Sequence, residues 1–316
     1  MNTNILNAHW GIVVNSHAGK RVLGKNYSKI DRFFNEIGIK FTKVLTEYRG
    51  HAVEIAKNLA ETSGIRHFFI VGGDGTLNEV VNGIYTSQII DKEQVMIASI
   101  PYGSGNDWAR YWNLSKKVSN LNDLFCNGKA VQIDIGKMTC AQPDGSQYSR
   151  FFLNGAGFGF DGQVVRLTNK LKKYFGGSSF AYTFSVLLGV FVTASQSMTL
   201  RGNYEVADKI FSVAVGNGCF SGGGIKQVPK AKPTDGLLHV AAIKRPSFLE
   251  IFSGLKYLFQ DRIDEHNLTY SFETEHFTAV CEKPTAIETD GVEIPFCNSI
   301  LFQVVPNALI MLTPNV

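Results

Sequence analysis

The chain has 316 residues, of which 44% are hydrophobic and 18% are charged, and its formal net charge at pH 7 is +4. This length and composition are typical of a globular protein with room for two domains, each with its own core. The small positive charge, without an arginine-rich tract or a zinc-finger spacing, argues against a nucleic-acid-binding protein.

Cysteine usage and apolar segments predict the cellular compartment. The five cysteines are widely separated and odd in number, which favours reduced thiols in a cytoplasmic protein. Residues 1–10 lack the basic and apolar segments of a signal peptide. The longest apolar stretch, residues 180–194, is too short and too polar to span a bilayer. We therefore expect a soluble, cytoplasmic protein.

The first half of the chain alternates predicted strands and helices. Apolar runs at 10–14, 41–45, 67–71 and 95–100 are typical of buried strands, and amphipathic helical patterns lie between the first three of them. The order β-α-β-α-β predicts a parallel sheet. In such open sheets ligands bind at the carboxyl ends of the strands.

A glycine-rich turn follows the third predicted strand. It reads Gly72-Gly73-Asp74-Gly75, and a helical pattern opens at Thr76. Glycines here permit positive φ and close approach of backbone N–H groups to a ligand, and a helix N-terminus suits a phosphate. Asp74 would repel a bare phosphate unless a divalent cation lay between them. The turn predicts a magnesium-nucleotide site, and an ordinary glycine turn with an exposed aspartate is the alternative.

The other strand ends carry similar turns. A polar, glycine-ended turn at 15–19 follows the first strand, Thr46 ends the second, and the segment 101–110 places two glycines around Ser104 after the fourth. Each turn alone could be an ordinary loop. Because the carboxyl ends of neighbouring parallel strands lie at one edge, we expect these turns to face one crevice.

The hydrophobic pattern of the sequence changes after residue 134. Helical patterns thin out, and short alternating runs occupy 197–204, 209–215, 237–243, 267–272, 277–281 and 285–288, which predict a mostly antiparallel β domain with two or three inserted helices. The last predicted strands, 300–304 and 308–312, close the chain. A G-x-G-x-x-G pattern at 157–162 lacks an acidic residue about twenty positions later, so a dinucleotide site is excluded.

These motifs resemble the diacylglycerol kinase catalytic-domain family, soluble lipid kinases that include sphingosine kinases and bacterial lipid kinases. The resemblance rests on segments at 72–79, 101–110, 154–162, 217–238 and 288–293, in the same order. It implies an NAD-kinase-like α/β nucleotide-binding domain with a parallel sheet and a mostly antiparallel β lipid-binding domain, with the active site in the interdomain cleft. The first domain would comprise 1–134 with 306–316 returning to it, and the second 135–305.

The resemblance also implies ATP and Mg²⁺ as cofactors and the residues that hold them. The nucleotide-binding residues that it implies are Asn15, Ser16, His17, Ala18, Gly19, Thr46, Gly72, Gly73, Asp74, Gly75, Thr76, Leu77, Asn78 and Ser104. Ser16 replaces the family's proline, and Ser104 replaces a threonine and keeps the hydroxyl.

A structural metal is implied in the second domain. In the bacterial members, the aspartate of Asp-Gly-Leu and two nearby carbonyl groups hold this metal, and the matching positions here are Lys232, Asp235 and Leu237. Oxygen ligands of this kind suit Mg²⁺ or Ca²⁺. A simple Asp-Gly turn at Asp235 is the alternative.

The catalytic acids are implied by the family's Asp-Gly-Glu motif. Asp290 and Gly291 match it, but Val292 replaces the acid and Glu293 comes one residue late. Asp290 is the expected general base for a lipid hydroxyl, with Asp74 organising Mg²⁺. A shift of one residue on a strand reverses the side-chain direction, so Glu293 can serve only if a bulge after Gly291 restores it.

We therefore expect a lipid kinase that transfers the γ-phosphate of ATP to a hydroxyl of a lipid such as diacylglycerol. The alternatives are a kinase of a soluble substrate, of the NAD-kinase type, and an inactive lipid-binding homologue. Lys170, Lys172 and Lys173, followed by the apolar segment 180–191, favour peripheral contact with an anionic membrane, or else a solvated turn before a core helix. A homodimer is compatible with the sequence.

Overall fold

The computed structural model describes residues 3–16, 20–142, 145–175, 185, 188–190 and 192–315. The chain forms two compact units. The first contains residues 1–134 and 307–316, and the second contains residues 135–306.

In the first unit, helices alternate with strands. The elements are α1 (Thr3–Asn7), β1 (Trp10–Asn15), α2 (Lys20–Glu36), β2 (Phe41–Thr46), α3 (His51–Thr62), β3 (His67–Gly72), α4 (Asp74–Thr86), β4 (Met96–Pro101), α5 (Asp107–Tyr111) and α6 (Leu121–Asn127). The strands pair in the order β2-β1-β3-β4, and each of these pairs is parallel. The end of the last strand, β13 (Val292–Thr313), joins β4 in parallel.

Apolar packing explains why these strands form. β1, β3 and β4 are buried along nearly their whole lengths, as expected where helices cover a parallel sheet. Phe34 and Phe125 pack with Phe69 and Trp10 in one aromatic cluster. The parallel register brings the ends of β1 to β4 to one edge of this sheet, and described residues from the turns that follow these strands lie there.

The second unit is antiparallel. It receives the end of β5 (Lys129–Ala141) and contains β6 (Gln147–Phe152), β7 (Gly155–Gly159), α7 (Phe160–Phe175), β8 (Gln196–Arg201), β9 (Glu205–Gly216), β10 (Leu238–Lys244), α8 (Phe248–Phe259), β11 (Thr269–Thr274) and β12 (His276–Thr289). Its strands follow the order β11-β10-β9-β7-β12-β13. Alternating apolar residues of these strands, including Phe158, Phe277 and Phe302, fill its core.

Strand lengths in this unit differ from the prediction. The runs at 277–281 and 285–288 belong to one strand, β12, and the runs at 300–304 and 308–312 both belong to the 22-residue strand β13. The β12–β13 register shifts between Val280 and Thr285 and again before Ile287. Such an irregularity interrupts the period-two pattern in the sequence while the strand itself continues.

One glycine in the first unit is required by helix packing. A Cβ added to Gly83 in α4 would clash with the carbonyl oxygen of Val53 and lie 2.8 Å from the Cβ of Ala56, both in α3. Because overpacking typically costs about 1–3 kcal/mol, we expect Gly83→Ala to lower the free energy of unfolding by that amount. Urea denaturation followed by circular dichroism measures the change.

Gly254 in α8 provides the matched control. A Cβ there would meet no atom within 4 Å. Alanine is preferred to glycine in a helix by roughly 1 kcal/mol, so Gly254→Ala should leave stability unchanged or raise it. Equal effects of the two substitutions would contradict the packing of α3 on α4.

Candidate functional site

A cavity of about 590 Å³ lies at the edge of the first unit's sheet where β1 to β4 end. This volume is typical of small-molecule sites. The cavity is lined by residues of the four turns and of the first turns of α4: Asn15, Thr46, Glu47, Tyr48, Arg49, Gly73, Asp74, Gly75, Thr76, Glu79, Tyr102, Gly103, Ser104 and Gly105.

Two glycine turns touch each other in the wall of this cavity. A Cβ added to Gly73 would lie 2.6 Å from the Cα of Gly103, and one added to Gly103 would lie 2.6 Å from the Cα of Gly73. At Gly72 an added Cβ would lie 2.6 Å from the hydroxyl of Thr76. We expected glycine here partly for positive φ, but Gly73 has a φ of −99°. At these positions glycine is required by close approach instead.

Asp74 joins the two turns. Its Oδ2 accepts the N–H of Asp107 at 3.0 Å, and its Oδ1 accepts the N–H of Trp108 at 3.1 Å. These N–H groups belong to the first turn of α5, where they have no partner within the helix, and a negative charge at this end is favourable. Burial raises the pKa of Asp74, and the same N–H groups oppose that rise. Asp74 therefore has a structural role that the sequence did not predict.

Asn106 fixes the shape of the second turn. It has a φ of 54°, in the left-handed region that asparagine tolerates better than most residues. Its Oδ1 accepts the N–H of Gly103 at 2.8 Å, and its Nδ2 donates to the carbonyl of Gly103 at 2.7 Å. The side chain is thus bonded within its own turn, while the cap of α5 comes from Asp74 of the other turn.

The helix after the first glycine turn begins earlier than the sequence indicated. α4 begins at Asp74, with Gly73 as its N-cap residue, and Thr76 lies within the first turn. A Cβ on Gly75 would meet no atom within 4 Å, so the backbone there is open to the cavity. Backbone N–H groups at a helix N-terminus form a favourable site for a phosphate.

Side-chain hydrogen bonds connect the turn after β1 with the turns after β3 and β2. Asn15 donates its Nδ2 to the hydroxyl of Thr76 at 2.9 Å. The hydroxyl of Ser16 donates to the carbonyl of Thr46 at 2.6 Å. The turns after β1, β2 and β3 are therefore linked, as their predicted common site requires.

Several of the predicted nucleotide-binding residues lie elsewhere. Leu77 and Asn78 are buried and do not line the cavity, and the amide of Asn78 accepts a hydrogen bond from Asn82 one turn later in α4. Their positions in the helix direct both side chains to the core rather than to the edge. His17, Ala18 and Gly19 lie outside the described residues.

The cavity also contains residues that the sequence analysis missed. The ring of Tyr48 stacks on His51 at a centroid distance of 4.5 Å, and its hydroxyl donates to Glu54 at 2.9 Å. Arg49 is exposed beside it and has the donor geometry that suits phosphate. Glu79 holds the same turn by accepting the N–H of Gly50 at 3.0 Å. The Thr46 motif marked this turn but could not identify its contacts.

In the second unit, Asp290 forms a tight hairpin turn with Gly291. Both residues have left-handed φ, 44° and 76°, as in the two-residue turns that match strand twist. The Asp290 carboxylate accepts the N–H groups of Leu153 at 2.7 Å, Asn154 at 2.9 Å and Gly155 at 3.0 Å. It therefore ties the hairpin to the start of β7, and most of its acceptor capacity is used there.

The register of this hairpin determines where Glu293 points. Thr289 pairs with Val292 and Glu288 pairs with Glu293, so the ladder continues without a bulge after Gly291. Residues directly opposite each other share one face of the sheet. Glu293 therefore lies on the face of Glu288, where its side chain is 40% exposed and 3.6 Å from Arg166.

Glu288 and Asp161 form a pair of partly buried carboxyl groups. Burial raises the pKa of Glu288 well above its ordinary value, and the negative charge of Asp161 adds to the rise. Burial likewise raises the pKa of Asp161 to about 6, against hydrogen bonds from Ser212 and Gln227. Carboxylates with raised pKa values are the better proton acceptors near neutral pH. Both lie in motifs quoted from the sequence, which carries no indication of their burial.

The carboxylate of Asp235, in the predicted metal site, already contacts other groups of the protein. Asp235 accepts the N–H of Leu237 at 3.0 Å, and its other oxygen lies 3.1 Å from Nε2 of His239. Gly236 has a φ of 73°, as in a simple Asp-Gly turn. Within the described part of the chain, no three His, Cys, Asp or Glu residues cluster as metal ligands. A metal at Lys232, Asp235 and Leu237 stays a prediction.

The predicted membrane-binding lysines are only partly described. Lys170 is exposed on α7. The side chains of Lys172 and Lys173, and most of segment 180–191, lie outside the described residues.

Comparison with known proteins identifies the family. The family model for the diacylglycerol kinase catalytic domain matches residues 9–138, and that for the YegS C-terminal NAD kinase beta sandwich-like domain matches residues 155–313. The chain is 25% identical over 254 residues to "Putative lipid kinase YtlR" of Bacillus subtilis, covering 77% of this chain and 80% of that protein. It is 26% identical over 298 residues to "Putative lipid kinase" of Staphylococcus carnosus, covering 91% of each.

Solved structures show the same fold. The crystal structure of a "putative diacylglycerol kinase" from Bacillus anthracis has a TM-score of 0.75 at 20% identity and covers 97% of this chain and 98% of that one. Yeast NADH kinase complexed with NADH has a TM-score of 0.55 at 8% identity, covering 97% of this chain and 84% of that one. With family models matching most of both units, the chain belongs to the diacylglycerol kinase catalytic-domain family of lipid kinases.

Proposed function

We propose that the protein transfers the γ-phosphate of ATP to a hydroxyl group of a lipid, with diacylglycerol or a related lipid as the acceptor. The observation that carries this proposal is the joined pair of glycine turns in the cavity wall, where Gly73 meets Gly103 and Asp74 caps α5. Membership of a lipid kinase family supports the reaction class.

The cavity offers a contact for each part of ATP. The open backbone at Gly75 and the hydroxyl of Ser104 supply donors for the phosphates, and the guanidinium of Arg49 supplies positive charge. The ring of Tyr48, whose residue is 51% exposed and rests on His51, presents a flat surface on which an adenine can stack.

Mg²⁺ fits the donor types in this cavity. Mg²⁺ in nucleotide sites usually binds one or two carboxylates together with substrate phosphates and water, so a cluster of three acids is not needed. Asp74 and Glu47 both line the cavity, and carboxylates are the side chains that usually bind this ion. When bound, the ion would neutralise charge on the phosphates.

The second unit supplies the general base in this proposal. A carboxylate that accepts the proton of the attacking hydroxyl is a recurring part of phosphoryl transfer by kinases. The resemblance assigns this role to Asp290, but three backbone N–H groups already occupy that carboxylate. Glu288 is the better candidate, because burial and the nearby Asp161 raise its pKa. An active site in the cleft between the domains stays a prediction, as does a homodimer.

The direct test is transfer of label from γ-labelled ATP. The purified protein is incubated with Mg²⁺ and ATP, with diacylglycerol in mixed micelles, with a total lipid extract, or with NAD. We expect label in the organic-extractable lipid. Label on NAD alone would support a soluble-substrate kinase, and no transfer by the folded protein to any acceptor would support an inactive homologue.

Asp74→Asn tests the junction of the two turns. The amide offers one acceptor where the carboxylate offers two, so one N–H of α5 loses its partner. We expect turnover to fall by about 10²–10³-fold, the scale of a lost charge-stabilising contact. Loss of a hydrogen bond to a charged group should also lower stability by about 1.5–3 kcal/mol. Steady-state kinetics and thermal denaturation measure the two effects.

Ser104→Ala is the control for this variant. It removes one hydroxyl from the same cavity and leaves the contacts of Asp74 intact. We expect a smaller loss of turnover and an unchanged melting temperature. If Asp74→Asn kept the turnover and the stability of the wild type, neither the catalytic nor the structural role proposed for Asp74 would hold.

Glu288→Gln tests the general base. We expect turnover to fall by about 10²–10⁴-fold, the range for a lost base. In the wild type, kcat/KM should decline as pH falls through the raised pKa of Glu288, because the base must be deprotonated. Glu293→Gln, on the same face but paired with Arg166, should change turnover little. Asp290→Asn should mainly lower the melting temperature.

Stability provides a second readout for Glu288. A carboxyl whose folded pKa is raised stabilises the fold below its unfolded pKa, and that stability is lost as pH rises through the folded pKa. Glu288→Gln should therefore melt above the wild type at alkaline pH, and the difference should vanish near pH 4.5, the ordinary pKa of glutamate. If Asp290→Asn alone lost turnover while melting like the wild type, Asp290 would be the base.

A further inference from the structure

One side of α8 is apolar and exposed. Leu249 is 79% exposed, Phe252 61%, Leu255 42% and Phe259 74%. Spacings of three, three and four residues place these four side chains along one stripe of the helix. We call them the α8 stripe.

The other side of α8 is firmly held by the second unit. A capping box between Ser247 and Glu250 begins the helix. Tyr257 packs against the ring of His266 at a centroid distance of 5.2 Å, and that ring also lies 3.2 Å from the hydroxyl of Ser253. The orientation of the α8 stripe is therefore fixed by contacts on the rest of the helix.

We infer that the α8 stripe is the surface by which this protein lies on a lipid membrane. The inference rests on the proposed function in one respect, since a kinase of membrane lipids must reach its acceptor in a bilayer. Among the described residues no helix is long and apolar enough to cross a membrane. A helix of 12 residues with one apolar face suits the plane of the membrane interface.

The area of the stripe favours a membrane over a second protein copy. At the exposures observed, four such side chains present roughly 400–500 Å² of surface. A stable dimer needs about 800 Å² from each partner, nearly twice as much. A bilayer sets no such minimum, because each apolar side chain inserts independently between the lipids.

The charges around the stripe match an anionic membrane surface. Lys256 is exposed beside the stripe and forms no ion pair with any residue that the structure describes. Glu250, the only acid of the helix, is bonded to the N–H of Ser247. Beyond the helix end, Asp261 is paired with Lys226 at 2.6 Å. A lysine in this position can extend its ammonium group to the head groups while its stem lies along apolar surface.

Sedimentation with vesicles tests this surface. The vesicles are made of phosphatidylcholine alone, or of phosphatidylcholine and phosphatidylglycerol in equal parts. We expect Phe252→Ser to weaken binding to both kinds by about tenfold, and the triple variant Leu249→Ser, Phe252→Ser, Phe259→Ser by at least about 100-fold. Lys256→Ala should weaken binding by about fivefold, and only with the anionic vesicles.

Ile90→Ser is the matched control. Ile90 is 95% exposed in the first unit, so it tests whether any exposed apolar side chain has the same effect. We expect no change in its vesicle binding. If the triple variant bound vesicles like Ile90→Ser, or if the wild type bound neither kind of vesicle, the inference would be overturned. The inference would also be overturned if the wild type formed a dimer and bound no vesicles while the triple variant was monomeric. A second copy of the chain would then be the partner of the α8 stripe.

A short-chain diacylglycerol, dispersed in solution, separates this inference from the proposed function. The triple variant should phosphorylate it as fast as the wild type, because none of the stripe residues is among those that line the cavity. Absence of turnover in the wild type, with vesicle binding lost only in the stripe variants, would refute the proposed kinase activity and leave the membrane surface supported. If the triple variant lost as much turnover on the dispersed acceptor as on an acceptor in vesicles, a role of the α8 stripe confined to membrane binding would be contradicted.

Discussion

The candidate site depends on one contact between two turns. Gly73 and Gly103 approach so closely that neither position has room for a Cβ, and Asp74 closes the junction by bonding both Asp107 and Trp108 of α5. The backbone of both turns is therefore fixed before any ligand arrives. Preorganised donors of this kind lose little freedom when they bind a phosphate, which is how a loop of small residues can act as a binding site.

Much of the first unit could be predicted from its sequence, because its strands are short apolar runs and its turns follow them immediately. The role of Asp74 could not, since its partners lie more than thirty residues further along the chain. For a similar reason the sequence indicates that these glycines permit positive φ and close approach to a ligand, whereas the structure shows that Gly73 is required by its close approach to the backbone of Gly103. Local sequence determines a turn, and tertiary packing determines what that turn contacts.

In the second unit, prediction from the sequence is limited even more by contacts between residues that are distant along the chain. The family motif includes Asp290 and Gly291 but does not indicate the hairpin turn that they form, and the direction of the Asp290 carboxylate depends on where the backbone of Leu153 lies. The raised pKa of Glu288 arises from burial between strands and from a helix residue, Asp161, far from it in the sequence. Proton affinity is a property of the folded environment, so a motif can indicate an acidic residue without indicating which carboxyl group in its surroundings has the raised pKa.

The most direct test of the account is a crystal structure of the protein with Mg²⁺ and a non-hydrolysable ATP analogue. We predict that the phosphates lie against the backbone at Gly75 and the hydroxyl of Ser104, with Asp74 still bonded to α5. Phosphates bound away from both glycine turns, or an Asp74 carboxylate released from Asp107 and Trp108 when the nucleotide binds, would contradict it.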